Sequence, residues 1–316
     1  MKILIGSCGG LTGVYLSKLL KKELPKAKIY GFDMSEKIPT KFFLDKFFIM
    51  PSSDNEELFL ENLILILNTE NIDIYIPVHS KEIKVVSKHT KILTERTKAK
   101  FVVSPYETFE ILDNKRNAYQ KLKKIGIDVP KMYNKVEEID NYPVFIKPEV
   151  GSGSKGARII HSKEELSYIK NQKNFLIMEF LKGNEITVDA LFDLKGHLLG
   201  FNQRKRIKTL GGAAVITETD YSIDISYILK KIEKNFTIVG PANFQFFYTK
   251  DRIVLTDINL RFASGGLPLT VESGFNIPLL TIKLALEENI DPALCKVDRR
   301  KRIMYRYFEE IFEEVE

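Results

Sequence analysis

Phe145-Ile146-Lys147-Pro148-Glu149-Val150-Gly151-Ser152-Gly153-Ser154-Lys155-Gly156-Ala157 is the stretch on which the reading of this chain turns. The apolar, β-prone run Pro143-Val144-Phe145-Ile146 delivers Lys147. Gly151, Gly153 and Gly156 let the backbone turn tightly and present N–H groups to an anion. Lys147 and Lys155 add positive charge where phosphate charge would sit. Arg158-Ile159-Ile160 reads as the next strand, so the loop lies between strands, as a flap over a nucleotide would. A Gly-Ser hairpin with solvated lysines fits this stretch equally well, and the rest of the chain has to decide.

Towards the N-terminus, residues 1–33 read as strand, loop, helix and strand. Ile3-Leu4-Ile5 is a buried parallel strand, residues 6–13 a glycine-rich turn, Val14 to Leu24 a helix, and Ile29 to Asp33 a strand ending in a carboxylate. The unit imitates a dinucleotide fingerprint, but the G-x-G-x-x-G spacing is missing. Cys8 reads as a small loop residue, since no base accompanies it. Phe47 to Met50 is a third strand, Asn55 to Thr69 an amphipathic helix, and Ile72 to Val78 a further strand. His79, Ser80 and Glu82 follow at its carboxyl end, the edge where open α/β sheets bind ligands. His79 is a candidate substrate contact or, equally, a satisfied structural histidine. Phe101-Val102-Val103-Ser104 closes this unit.

Asp113-Asn114-Lys115-Arg116 opens a helix that Gly126 terminates. Beyond the glycine loop, Ser162 and Glu165 form a capping box. Phe175 to Leu181 is a strand carrying Glu179, and Glu185 to Phe192 alternates as a half-buried strand. After a hairpin at Gly196, Arg204 to Lys208 and then Gly211-Gly212 read as a basic, flexible segment suited to an anion. A helix over 223–236 precedes two strands, 240–248 and 253–261. Alternate residues of a strand share a face, so Asp257, Asn259 and Arg261 project together, and Gln245 joins them if the strands pair. A carboxylate, two amide oxygens and a guanidinium make little sense as core and good sense around a hard cation and phosphate oxygens. A last helix over 276–288 leads to a basic-aromatic tail, Arg299 to Phe312.

Composition narrows the class. At 316 residues the chain has room for two or three packed units, and its 44% apolar content is ordinary for a soluble globular protein. Lysines and arginines outnumber acids by only six and are scattered, which argues against a nucleic-acid stripe. No apolar run approaches a membrane span, the first residues are a strand and not a leader, and the two cysteines are far apart. A cytoplasmic protein is expected.

Taken together, the motifs resemble the ATP-grasp family, most closely its carbamoyl-phosphate-synthase-like carboxylate–amine ligases. The resemblance implies an α/β chain: a Rossmann-like parallel-sheet domain over 1–112, a small α+β subdomain with the glycine-rich flap over 113–181, and a large subdomain with the metal site over 182–316. It implies ATP phosphates held by Lys115, Lys147 and the loop Gly151, Ser152, Gly153, Ser154, Lys155 and Gly156. The adenine hinge would be Glu179, Phe180 and Leu181, with Glu185 on the ribose. Gln245, Asp257 and Asn259 match the metal ligands, and Arg261 the arginine beside the transferring phosphoryl. Arg206 is placed near the acyl phosphate or substrate carboxylate. Asp257 departs from the more usual glutamate, and Leu260 from a common proline.

The implied reaction joins a small-molecule carboxylate to an amine through an acyl phosphate, using ATP and two Mg²⁺ ions for which Mn²⁺ can substitute. No protein nucleophile is needed. A phosphotransferase using the same nucleotide residues is the alternative. A non-catalytic nucleotide-binding module would not need the metal ligands, and a dehydrogenase rests on residues 1–33 alone. Relatives are often dimers, which makes a homodimer an open expectation.

Overall fold

The computed structural model describes residues 1–151, 156–169, 175–249 and 251–314. Ser152, Gly153, Ser154 and Lys155 of the glycine-rich loop lie outside the described residues. The first unit contains β1 (Lys2–Ile5), α1 (Leu11–Glu23), β2 (Lys28–Asp33), β3 (Lys46–Ile49), α2 (Glu56–Thr69), β4 (Ile74–Ile76), α3 (Ser80–Lys88) and α4 (Thr90–Arg96). Its sheet is parallel in the order β3-β2-β1-β4. Such strands need crossover helices and are covered on both faces, which is why β1 reads as a continuous apolar run. Ile3 and Ile5 pack towards α1, Leu4 towards α2. Residues 101–104 form no strand; only Lys100 bridges to Ile74, so closure of the unit is by a single pairing.

Next come α5 (Tyr106–Asp113), α6 (Lys115–Lys124), β5 (Met132–Tyr133), β6 (Val144–Pro148), β7 (Arg158–Ile160), α7 (Lys163–Ser167) and β8 (Phe175–Glu179). Asn114 caps α6 by accepting from the Asn117 N–H at 3.0 Å, and Gly126 ends it at φ +70°. The strands form an antiparallel sheet, β5-β8-β6-β7, over a small core of its own. The expected capping box at α7 is half realised. Ser162 accepts from the Glu165 N–H, but the Glu165 carboxylate reaches back one residue further, to the His161 N–H.

The third sheet is built from β9 (Asn184–Phe192), β10 (Leu198–Leu210), β11 (Ala213–Thr219), β12 (Gly240–Tyr248), β13 (Ile253–Asn259) and β14 (Ile303–Tyr305), in the order β13-β12-β9-β10-β11-β14. Helices α8 (Ser226–Asn235), α9 (Leu267–Glu272) and α10 (Ile277–Ala285) pack around it. One face carries Ile186, Val188, Ala190, Phe192, Ala242, Phe244, Phe246 and Leu255, packed against α6 and α8 in the largest apolar cluster. Registry then fixes the other face. Cross-strand partners Asp257–Gln245, Gln245–Thr187 and Thr187–Arg204 form one row across four strands, and Asn259–Asn243, Asn243–Asp189 and Asp189–Asn202 form the next. Directly opposed residues share a face, so the apolar alternation on one side forces a polar wall on the other.

Two expectations are corrected here. Strand β9 alternates in chemistry but is buried on both faces from Ile186 to Phe192, because it sits between β12 and β10 with material over each side. The basic segment is not a flexible loop. Arg204 to Lys208 belong to the 13-residue strand β10, and Gly211 and Gly212, at φ +56° and +80°, make the hairpin turn into β11. Among the described residues no helix is long and apolar enough to cross a membrane.

Candidate nucleotide and metal site

A cleft of about 1280 Å³ lies between the polar wall of the six-stranded sheet, the carboxyl edge of the parallel sheet and the start of the glycine-rich loop. Lys115, Gly151, Arg206, Gln245, Asp257, Asn259 and Arg261 all line it. Lys115, from the first turn of α6, donates to the Gly151 carbonyl at 2.9 Å and stands 3.8 Å from Asp257 Oδ1. It thereby ties the loop's first residue to the acidic group on β13. Gln245 and Asp257 are direct cross-strand partners, with a bulge immediately after Gln245. Asn259 accepts from Arg261 Nη2 at 3.1 Å, and its amide nitrogen lies 3.5 Å from Asp257 Oδ2. Arg261 also donates to Ser80 Oγ at 3.2 Å and to the Phe262 carbonyl at 2.8 Å, so it bridges the two sheets. Burial pulls its pKa below the usual guanidinium value, against the opposing pull of Asp257 and Asp113.

Lys147 lies just behind this group. Its Nζ donates to the Thr256 carbonyl at 2.7 Å, next to Asp257, and sits 5.4 Å from the centre of the Tyr119 ring. Burial lowers its pKa, because a charged amine is costly away from water. Glu179, Phe180 and Leu181 form the passage from β8 into β9, which joins the two antiparallel sheets. Glu179 accepts from the Lys131 N–H at 2.9 Å and is paired with Arg252. Glu185 is engaged by Arg206, so the two residues expected at the ribose and at the substrate carboxylate are held to each other. Glu179, Phe180, Leu181, Glu185 and Lys147 are not among the cleft's lining residues.

The donor set fits magnesium carried by a nucleotide. Three oxygen-bearing side chains face one cleft, but only Asp257 is charged, and among the described residues no cluster of three His, Cys, Asp or Glu could hold an ion alone. Mg²⁺ usually takes one or two carboxylates and completes its shell with phosphate oxygens and water.

His79 caps α3, accepting from the Lys81 N–H at 3.3 Å, while Glu82 accepts from the His79 and Val78 N–H groups. It also lines the cleft, so the structural and ligand-facing readings coexist. Burial by itself moves the His79 pKa down, and Arg261 and Lys81 reinforce the shift. Cys8 is fully buried and its thiol is pushed up to about 12, chiefly by desolvation, which removes it as a nucleophile. Asp33, at the end of β2, accepts from the Gly9 N–H at 2.8 Å and lines the cleft. Asp189, assigned no site role from the sequence, and Arg204, singled out there only as part of a basic run, lie at the centre of the polar wall, only 2% and 3% exposed.

Residues 171–311 match the family described as ATP-grasp in the biosynthetic pathway with Ter operon, and residues 3–102 match the PylC-like N-terminal domain. Over residues 171–311 the chain is thus similar to the ATP-grasp family. Its relatives include the carbamoyl phosphate synthase large chain of Pseudothermotoga lettingae, 26% identical over 60% of this chain and 19% of that one. The 3-methyl-D-ornithine–L-lysine ligase of Methanosarcina acetivorans is 24% identical over 84% of this chain and 69% of its own length. The chain therefore spans about a fifth of the synthase chain. Among solved structures, the biotin carboxylase domain dimer of Hydrogenobacter thermophilus 2-oxoglutarate carboxylase, in complex with MgADP, ADP and bicarbonate, superposes with a TM-score of 0.71. At 15% identity, over 92% of this chain and 70% of that one, the likeness is one of fold.

Proposed function

We propose that the protein is an ATP-dependent carboxylate–amine ligase working through an acyl phosphate. The observation that carries this reading is the meeting of Lys115, Gln245, Asp257, Asn259 and Arg261 in one cleft between the sheets. Its support also comes from the relatives, among which are an amino acid ligase and a D-alanine–D-alanine ligase. In the proposed reaction a carboxylate oxygen attacks the γ-phosphorus of ATP, forming a C–O–P linkage as the bond to ADP breaks. The amine then attacks the acyl carbon, a C–N bond forms, and phosphate leaves while the amine gives up a proton.

The residues supply position and charge. Lys115 and Lys147 hold phosphate oxygens, and Arg261 faces the transferring phosphoryl. Asp257, Asn259 and Gln245 hold magnesium, two ions in the full reading, with Mn²⁺ able to replace them. Bound there, the ion neutralises charge on the β- and γ-phosphates. Glu179, Phe180 and Leu181 take the adenine, and Glu185 takes the ribose once Arg206 is drawn away. The three-part organisation at 1–112, 113–181 and 182–316, a cytoplasmic setting and a homodimer complete the proposal; the structural neighbour is a dimer.

The test is phosphate release from MgATP with panels of small carboxylates and amines. Amine-dependent release is expected, and Asp257→Ala should abolish it while the far-ultraviolet circular dichroism spectrum is kept. Full turnover in that variant would remove the metal assignment, and a stable phosphorylated product would make the protein a phosphotransferase.

A further inference from the structure

Arg204 is the most deeply buried cation of the cleft. Its Nε and Nη2 donate to the two Asp189 oxygens at 3.0 and 3.3 Å. Asp189 also accepts from Thr270 Oγ1 and Asn243 Nδ2, each at 2.6 Å, so the carboxylate is saturated and the guanidinium cannot swing. The opposite edge of the guanidinium is free: Nη1 is buried and has no partner. Gly266 lets the backbone pack directly against the guanidinium, since a Cβ there would fall 2.0 Å from Arg204 Cζ and 2.3 Å from Nη1. Directly across the strand pair stands Thr187, 1% exposed, whose hydroxyl is also buried and unpartnered. Both residues line the cleft. A buried donor left unpaired costs about 1–3 kcal/mol, so two neighbouring ones mark a place built for an absent acceptor.

We propose that Thr187 and Arg204 receive the substrate's reacting carboxylate. A guanidinium nitrogen and a hydroxyl donor on adjacent strands suit the two oxygens of one carboxylate. Thr187 is also the cross-strand partner of Gln245, which pairs with Asp257. A carboxylate bound there lies roughly 5–10 Å, one to two strand spacings, from the proposed metal ligands, within reach of a phosphoryl group they hold. The inference rests on the ligase reading and deepens it: Arg204, and not Arg206, fixes the acid, and the acceptor is a carboxylate and not a hydroxyl.

The test uses the full chain and acetate as the smallest carboxylate. Thermal unfolding is followed in sodium acetate against sodium chloride at equal ionic strength, with the shift on adding MgATP measured on the same samples. Ligand binding to the folded state raises the transition in a saturable way. Acetate should stabilise the wild type, and Thr187→Val should weaken its apparent affinity at least fivefold. The valine is isosteric and removes only an unbonded hydroxyl, so this variant folds. Arg204→Lys should weaken acetate binding as well, whereas Lys208→Gln, an exposed charge on the same strand, should leave it unchanged. Equal stabilisation of wild type and Thr187→Val, or none of the wild type, overturns the proposal. A MgATP shift without an acetate shift removes the carboxylate pocket and leaves the ligase reading standing; an acetate shift sensitive to Thr187→Val without a MgATP shift does the reverse.

Discussion

Asp189→Ala should be among the most damaging substitutions in the six-stranded sheet. The side chain is 2% exposed and accepts from Arg204 twice, from Thr270 and from Asn243. Removing it strands the Arg204 guanidinium, itself 3% exposed, without a counter-charge. Breaking one side of a buried pair costs about 3–5 kcal/mol, against about 5–15 kcal/mol for the stability of a typical fold. Deleting both charges tests the reasoning more sharply. Asp189→Leu combined with Arg204→Met leaves no buried charge and should recover at least about 2 kcal/mol of the loss. It should remain below wild type, because Thr270 and Asn243 lose their acceptor. The chain has no tryptophan, so urea unfolding is best followed by circular dichroism. A loss under about 1 kcal/mol for Asp189→Ala, the value of an exposed pair, or a double variant worse than the single, would refute the argument.

Gly266→Ala should cost about 1–3 kcal/mol, the usual penalty for forcing a methyl into a filled space, since the pinned Arg204 cannot yield; urea midpoints measure it, and an unchanged midpoint would show the turn moving freely. Asp113 lines the cleft, and burial, opposed by Lys115 and Lys84, raises its carboxyl pKa. The folded state thus holds that proton more tightly than the unfolded chain, and stability is lost as pH rises from the unfolded value of 3.8 through the folded one. Asp113→Asn should therefore melt above wild type at neutral pH, with the difference closing below about pH 4; a variant that melts lower at neutral pH contradicts the sign.

The parallel sheet, the helix opening at residues 113–116 and the shared face of Asp257 and Asn259 were legible because each rests on local pattern. Period-two alternation places Asp257 and Asn259 on one face whatever the rest of the chain does. The role of Arg204 was hidden by its neighbours. Arg204, Lys205, Arg206 and Lys208 look alike as a charge run, yet the strand sends Arg204 and Arg206 inward while Lys205 pairs with Glu218. Only the joint presence of Asp189 on β9 and Gly266 beyond β13 makes Arg204 a buried donor, and those contacts are far apart in the chain. The same holds for Glu82, whose burial against Tyr75 comes from packing between β4 and α3. Alternation of the charge run at period two was the available clue.

The most direct measurement is a crystal structure of the chain grown with Mg²⁺ and a non-hydrolysable ATP analogue. The triphosphate should lie between Lys115 and Arg261, with the ion bound by Asp257 and by an amide oxygen of Asn259 or Gln245. A nucleotide seated elsewhere, or one whose ion takes no ligand from residues 245, 257 and 259, would contradict the account.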